Sequence, residues 1–270
     1  MLALPLICTA LILFYALYLW RAAWFFGRIK VECVPNAEDA QPFVSVIVPA
    51  RNEAANIAAC VKAVMAQDYP AARFELIVVN DHSEDATRDL AEEAAGIAGN
   101  FRVLDLEKAQ GVAYKKAAVA AGIAAAKGEI ILTTDADCTM GPGWISAMVA
   151  QFRPEVGMVS GPVLLESETT FGHFQALEFM GLIAVGAGAI EAGTPNMCNG
   201  ANLAYRKAVF EEVGGFAGID HIASGDDELL MHKIAAETNY IGAFAKCSGA
   251  VVRTAAHHIW TAWSALRGRG

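Results

Sequence analysis

Short apolar, β-branched runs alternate with stretches of helical spacing through the first half of the chain. This alternation limits the fold more than any single motif does. Val44–Val48 reads as a strand, Ala54–Gln67 as a helix, Phe74–Val79 as a strand and Asp85–Ala95 as a helix. Phe101–Leu106 follows as a strand, the Ala-rich Tyr114–Lys127 as a helix and Glu129–Thr134 as a strand. Strand and helix in strict turn imply an α/β fold whose sheet is mainly parallel and flanked by helices. Ligands of such sheets bind beyond the carboxyl ends of the strands. Three of these ends are polar: Pro49-Ala50-Arg51-Asn52-Glu53, Asn80-Asp81-His82-Ser83 and Asp135-Ala136-Asp137. Polar groups from three strands therefore converge on one edge.

The second half is less regular. Val156–Val163, Ala201–Arg206, Tyr240–Ala245 and Ala250–Arg253 read as strands, and Asp226–Ala236 as a helix. Phe171–Ile190 is apolar but broken by glycines and carries His173 and Glu178. It reads as a buried or interface-lying helix rather than a membrane span.

Leu2–Trp20 contains no charged side chain. It is long enough to cross a bilayer, for which about 20 apolar residues are needed. Trp20, Trp24, Phe25 and Phe26 supply an interfacial belt, and Arg21, Arg28 and Lys30 follow, with no Lys or Arg before the run. The positive-inside rule then puts the N-terminus outside and the rest in the cytoplasm. A signal peptide would want a basic n-region, which is missing. The expected organisation is an anchor with a basic flank over 1–30 and a Pro-containing linker over 31–42. A nucleotide-sugar-binding half over 43–150 and an acceptor-binding half over 151–253 follow. Residues 254–270 form a membrane-proximal segment bearing Trp260, Trp263, Arg267 and Arg269.

The net charge of −9 lacks the basic field of a nucleic-acid binder. The six cysteines show no C-x-x-C pair, which predicts reduced, mostly buried thiols and neither a zinc site nor a disulfide framework. The histidines show no metal-binding spacing.

Two acidic clusters carry the chemistry. Asp135 and Asp137, at i and i+2 past an apolar strand, offer oxygen ligands suited to Mg²⁺ or Mn²⁺ bridging a diphosphate. Gly225-Asp226-Asp227-Glu228 precedes a helix. Helix capping accounts for Asp226 and Glu228, and a third carboxylate is more than capping needs, so one is a candidate general base. Lys115 and Lys116 open a helix, read either as a solvated face or as a phosphate contact.

Taken in order, these residues resemble family 2 glycosyltransferases: Val44-Ser-Val-Ile-Val-Pro-Ala-Arg-Asn-Glu53, Ile77-Val-Val-Asn-Asp81-His-Ser83, Lys115-Lys116, Gly128-Glu129, Thr134-Asp-Ala-Asp137, Gly200-Ala-Asn202, Gly214-Gly-Phe216 and Gly225-Asp-Asp227-Glu-Leu229. The likeness covers roughly residues 43–253. It implies the GT-A fold, a Rossmann-like mixed sheet, here with an N-terminal transmembrane helix. It implies that Pro49, Ala50, Arg51 and Glu53 line the nucleotide pocket, that Asp81 binds the base and that Lys115 lies near the nucleotide. By the same likeness Asp135 contacts ribose or diphosphate, with Asp137 on the metal. Gly200, Ala201 and Asn202 would border the acceptor, with Asp226 beside them, and Asp227 would be the base. The implied reaction is inverting transfer from a nucleotide diphosphate sugar, most simply UDP-linked, to an acceptor hydroxyl, lipid-linked or membrane-proximal. Membrane-bound members continue with Q-x-x-R-W. Here Arg269 matches, while Leu266 replaces Gln and Gly270 replaces Trp, which argues against processive polymer synthesis. The rival readings are a nucleotidyltransferase, for which Val44–Glu53 lacks a Gly-rich phosphate loop, and a non-catalytic tethered binding protein.

Overall fold

The computed structural model describes residues 3–34, 41–107, 114–222 and 225–256. After the N-terminal helix α1 (Ala3–Arg28), the elements run β1 (Val44–Ala50), α2 (Ile57–Met65), β2 (Phe74–Asn80), α3 (Thr87–Ala95), β3 (Phe101–Asp105), α4 (Tyr114–Ala125) and β4 (Ile130–Thr133). The second half adds β5 (Thr139–Met140), α5 (Trp144–Val149), β6 (Val156–Ser160), β7 (Val163–Glu166), α6 (Thr170–Glu191), β8 (Leu203–Arg206), α7 (Lys207–Glu212), α8 (Glu228–Glu237), β9 (Ile241–Phe244) and β10 (Val252–Ala255).

Seven strands form the main sheet in the order β3-β2-β1-β4-β8-β6-β9. β1 and β2 are almost wholly buried, as strands covered by helices on both faces must be. Val44, Val46 and Val48 pack toward α2 and α5, and Ile47 packs toward α4. β1 pairs in parallel with both β2 and β4. β8 enters antiparallel to β4 and β6, so the sheet is mixed and the two expected halves share it without a break.

The second half departs from its expectations. Val156–Val163 is two strands in two sheets. Gly161 and Pro162 separate them: Pro162 has no N–H for a ladder, and a Cβ on Gly161 would lie 2.3 Å from the Asn202 amide nitrogen. β7 joins β10 and β5 in a small second sheet. Gly200–Asn202 is a short 3₁₀ turn before β8. α5, α7 and β5 are too short to show a period.

α6 is one continuous helix. Its last turns are buried from Gly186 to Ile190, whereas Phe171, Phe174 and Leu177 are exposed. Both α1 and α6 are long and apolar enough to cross a membrane. They pack closely at Gly188, where a Cβ would lie 2.1 Å from the Ala22 carbonyl oxygen. The Asn196 amide donates to Tyr18 Oη at 2.6 Å, and Arg21 donates to Thr194 Oγ1 at 3.1 Å. Residues 31–34, expected to be linker, are pinned to the domain. Gln151 donates to the Glu32 carbonyl at 2.7 Å, and Cys33 forms a disulfide with Cys247. That bridge corrects the expectation of six reduced thiols. The two cysteines lie far apart in sequence, and only the folding of the segment after α1 against the segment between β9 and β10 brings their Cα atoms to 5.5 Å. The segment containing Trp260, Trp263, Leu266, Arg269 and Gly270 lies outside the described residues.

Candidate active site

The register of the parallel strands brings the polar clusters together. Ala50 lies opposite Asn80, and Ile47 opposite Thr133, so the segment after β4 runs beside the end of β1. The loops after β1 and β2 are then laced by side chains. Asn52 and His82 both adopt φ 55°, in the left-handed region that Asn and His tolerate better than most residues. The Asn52 N–H donates to Ser83 Oγ at 3.0 Å, and Asn52 Oδ1 accepts from the Glu84 N–H at 2.8 Å. The Glu53 N–H donates to Thr87 Oγ1 at 2.7 Å and the Ala54 N–H to Asp85 Oδ2 at 3.1 Å. The Asp85 carboxyl is held below the usual carboxylate range, chiefly by the hydrogen bond from the Thr87 hydroxyl.

Asp81 is buried at 5% exposure, with His82 Nδ1 2.9 Å from Oδ1 and Arg51 Nη1 3.8 Å from Oδ2. A buried carboxylate at the mouth of the sheet is equipped to accept hydrogen bonds from a base edge. Glu53 accepts from the Asn56 side chain at 2.9 Å.

Beyond β4, Asp135 Oδ1 lies 2.8 Å from Lys115 Nζ, and the same ammonium reaches Asp226 Oδ2 at 3.6 Å. Burial works against the Lys115 charge, but Asp135 and Asp226 outweigh it and hold the ammonium above its ordinary range. The Asp226 carboxyl is pushed up, first by burial and further by Asp227 and Asp135, with Lys115 opposing. Asp137 Oδ2 accepts from Thr254 Oγ1 at 3.0 Å. Burial, with Asp137 and Asp135 nearby, pushes the Cys138 thiol up to about 12, so it stays protonated beside Asp137.

Asp227 caps α8, a role expected of Asp226 and Glu228. Its Oδ1 accepts from the Glu228 N–H and its Oδ2 from the Gly200 N–H, both at 2.7 Å. Gly200 lets the two acids come close, since a Cβ there would lie 3.3 Å from Asp226 Oδ2. Each Asp227 oxygen keeps a lone pair beyond its amide bond.

Not every candidate faces this cluster. Asn202 is fully buried, and its amide donates to the carbonyls of Pro162 and Ala250 at 2.8 and 2.7 Å. Its Oδ1 accepts from Trp144 Nε1 at 2.9 Å, so it fastens four segments of chain rather than facing a ligand. Ala50 and Ala201 are buried as well. Lys116 lies on no solvated face: it is 1% exposed and donates to the Ile219 and Ile222 carbonyls at 2.9 and 2.7 Å. Thr254 had no signal in the sequence, because its place beside Asp137 depends on β10 pairing with β5.

Among the described residues no three His, Cys, Asp or Glu side chains are grouped to hold a metal. Mg²⁺ and Mn²⁺ do not need such a cage, because one or two carboxylates together with substrate phosphates suffice. Asp135 and Asp137 fit that partial set.

The chain matches the sequence model of glycosyl transferase family 2 over residues 45–214. It is 31% identical to glycosyltransferase AglE of Haloferax volcanii over 196 residues, 69% of this chain and 59% of that protein. It is 34% identical to the undecaprenyl-phosphate 4-deoxy-4-formamido-L-arabinose transferase of Aeromonas hydrophila over 108 residues, 39% of this chain and 32% of that protein. The chain thus spans about three fifths of the first relative's length and a third of the second's. Among solved structures, the mannosyltransferase PcManGT from Pyrobaculum calidifontis, in complex with GDP-Man and Mn²⁺, superimposes with a TM-score of 0.71 at 25% identity, covering 94% of this chain and 68% of that one. With more than half its length under the family's sequence model and a GT-A neighbour over nearly all of it, the chain belongs to glycosyl transferase family 2.

Proposed function

We propose that the protein transfers a sugar from a nucleotide diphosphate sugar to the hydroxyl of a lipid-linked acceptor at a membrane, with inversion. The observation that carries this reading is the meeting of Asp135, Asp226 and Asp227 around Lys115 and Gly200, at the edge where the strands end. Asp81, with Pro49, Arg51 and Glu53 around it, receives the nucleotide. Asp137 and Asp135 hold Mg²⁺ or Mn²⁺, which when bound offsets charge on the leaving diphosphate. Asp227 takes the proton of the acceptor hydroxyl, which attacks the anomeric carbon from the face opposite the leaving group.

Two features support a lipid-linked acceptor. An apolar cavity of ≈ 520 Å³ lies between α6 and the domain, lined by Phe26, Val163, Met180, Ile183, Phe244 and Val251 among others. A second of ≈ 200 Å³, sharing Ile183 and Phe244, reaches Asn199 and Glu228 beside Asp227. The name of the Aeromonas relative includes undecaprenyl-phosphate, which bears on the lipid and not on the hydroxyl.

For topology, the basic flank Arg21, Arg28 and Lys30 favours α1 as a span with its N-terminus outside and the catalytic domain in the cytoplasm. The Cys33–Cys247 bridge pulls the other way, since disulfides persist mainly in oxidising compartments. Labelling of the domain by an impermeant reagent in intact cells decides between them, and protection is the expected result.

The test of function is nucleotide release with a panel of UDP- and GDP-sugars, with and without Mn²⁺ and lipid extract. Release with one donor, dependent on metal and extract, is expected. Transfer that proceeds equally in EDTA would overturn the metal role.

A further inference from the structure

Lys115 sits in the first turn of α4, yet its ammonium joins two distant carboxylates. Nζ is 2.8 Å from Asp135, which follows β4, and 3.6 Å from Asp226, which precedes α8. The neighbouring Lys116 is committed elsewhere, with its ammonium on the Ile219 and Ile222 carbonyls. That contact fixes the rotation of α4 against the loop leading toward Asp226. Only the side chain of Lys115 is then left to move, and at 40% exposure it has room to do so.

Resting on the metal-assisted reading above, we propose that Lys115 is a built-in counter-ion that competes with the divalent cation for Asp135. The cation then binds well only in company with a nucleoside diphosphate. The physical case is one of sign. Asp135, Asp226 and Asp227 place negative charge in one partly buried place, and the ammonium balances it. A divalent cation arriving alone on Asp135 meets that ammonium within a few ångströms, where like charges repel strongly at a protein's effective dielectric. A diphosphate reverses the situation, because its oxygens give the ammonium a new anionic partner and release Asp135 and Asp226. A lysine suits this exchange, being a compact charge on a flexible stem, whereas an arginine fork holds its carboxylate more rigidly. Linkage then requires that cation and nucleotide each raise the other's affinity by the same factor. Lys115 is on this view a positioning residue that sets the order in which ligands enter.

The test is Mn²⁺ titration of the full chain in detergent, with free Mn²⁺ read by electron paramagnetic resonance, alone and with UDP or GDP. The wild type is expected to bind Mn²⁺ weakly alone and about tenfold or more tightly with nucleotide. Lys115→Met should bind Mn²⁺ alone about tenfold more tightly than the wild type and lose most of the nucleotide enhancement. Lys115→Arg, which keeps the charge, should bind Mn²⁺ alone as weakly as the wild type. Should Lys115→Met not fold, Lys115→Gln carries the same expectation. Unchanged or weaker Mn²⁺ binding in the neutral variant overturns the proposal. Asp137→Ala separates the two levels. If it abolishes Mn²⁺ binding while Lys115→Met changes nothing, the counter-ion idea alone falls. If Mn²⁺ affinity survives Asp137→Ala in both backgrounds, the metal reading falls and takes the proposal with it.

Discussion

The two sides of the site are built differently. On the β1–β2 side, two neighbouring loops are stitched by backbone N–H groups that donate to the side chains of Asn52, Ser83, Asp85 and Thr87, just past the ends of two paired strands. On the β8–α8 side, the groups are held by partners drawn from several separate elements. Asp227 reaches Gly200, and Asn202 ties together Trp144, Pro162 and Ala250. Asp137, past β4, depends in the same way on Thr254. The first side is closed by two loops alone, and the second by several segments of chain at once. Damage to the first should therefore stay local, while damage to the second should spread.

The largest effect should come from Asp227→Asn. A general base contributes about 10²–10⁴-fold, so turnover should fall by that factor while nucleotide affinity holds. Near-normal transfer would remove Asp227 from the chemistry. Next is Asn202→Ala, which strips the Ala250 carbonyl and the Trp144 N–H of this partner and leaves the Pro162 carbonyl with the Val252 N–H alone. A loss of about 2–4 kcal/mol is expected, read as a lower denaturation midpoint at constant slope. If the midpoint does not move, the acceptor side is not fastened as described. On the other side, Ser83→Ala removes one exposed loop hydrogen bond and should cost about 1 kcal/mol or less, with a modest rise in the KM for donor. A global loss as large as that of Asn202→Ala would erase the contrast between the two sides.

The smallest effect concerns pH. The Asp226 carboxyl is raised in the folded protein, so the folded state holds its proton more tightly than the unfolded chain does. Its contribution favours folding at low pH and is lost as pH rises from the ordinary carboxylate range toward the raised value. Asp226→Asn should therefore flatten the decline in melting temperature over that window. A decline of unchanged slope would show that the Asp226 carboxyl is not raised by its burial and neighbours.

The same contrast explains what could be read from the residues alone. The strands β1, β2 and β4, their polar ends and the pair Asp135 and Asp137 carried local signals, namely β-branched runs closed by acids. The Gly200 bond to Asp227, the buried fastening by Asn202, the burial of Lys116, the Thr254 contact and the Cys33–Cys247 bridge carried none. Each is made by residues far apart in sequence, and nothing in the spacing of a single segment encodes it. The split of Val156–Val163 lay between these cases. Gly161-Pro162 marked a break, but the move of β7 to a second sheet needed β10 as its partner.

The fastening of α1 has a mechanical meaning. A helix joined to an enzyme by a slack linker is a leash, and the catalytic head can sample many heights above a bilayer. Here the last turns of α1 are wedged against α6, residues 31–34 are tied down, and the disulfide clamps that tie to the strand side of the domain. Where α1 crosses a bilayer, the head is mounted at one working height and one tilt. If the proposed reaction holds, the acceptor's distance from the bilayer then becomes a selection rule: a hydroxyl presented at the level of Asp227 is within reach, and the same sugar on a longer stalk overshoots it.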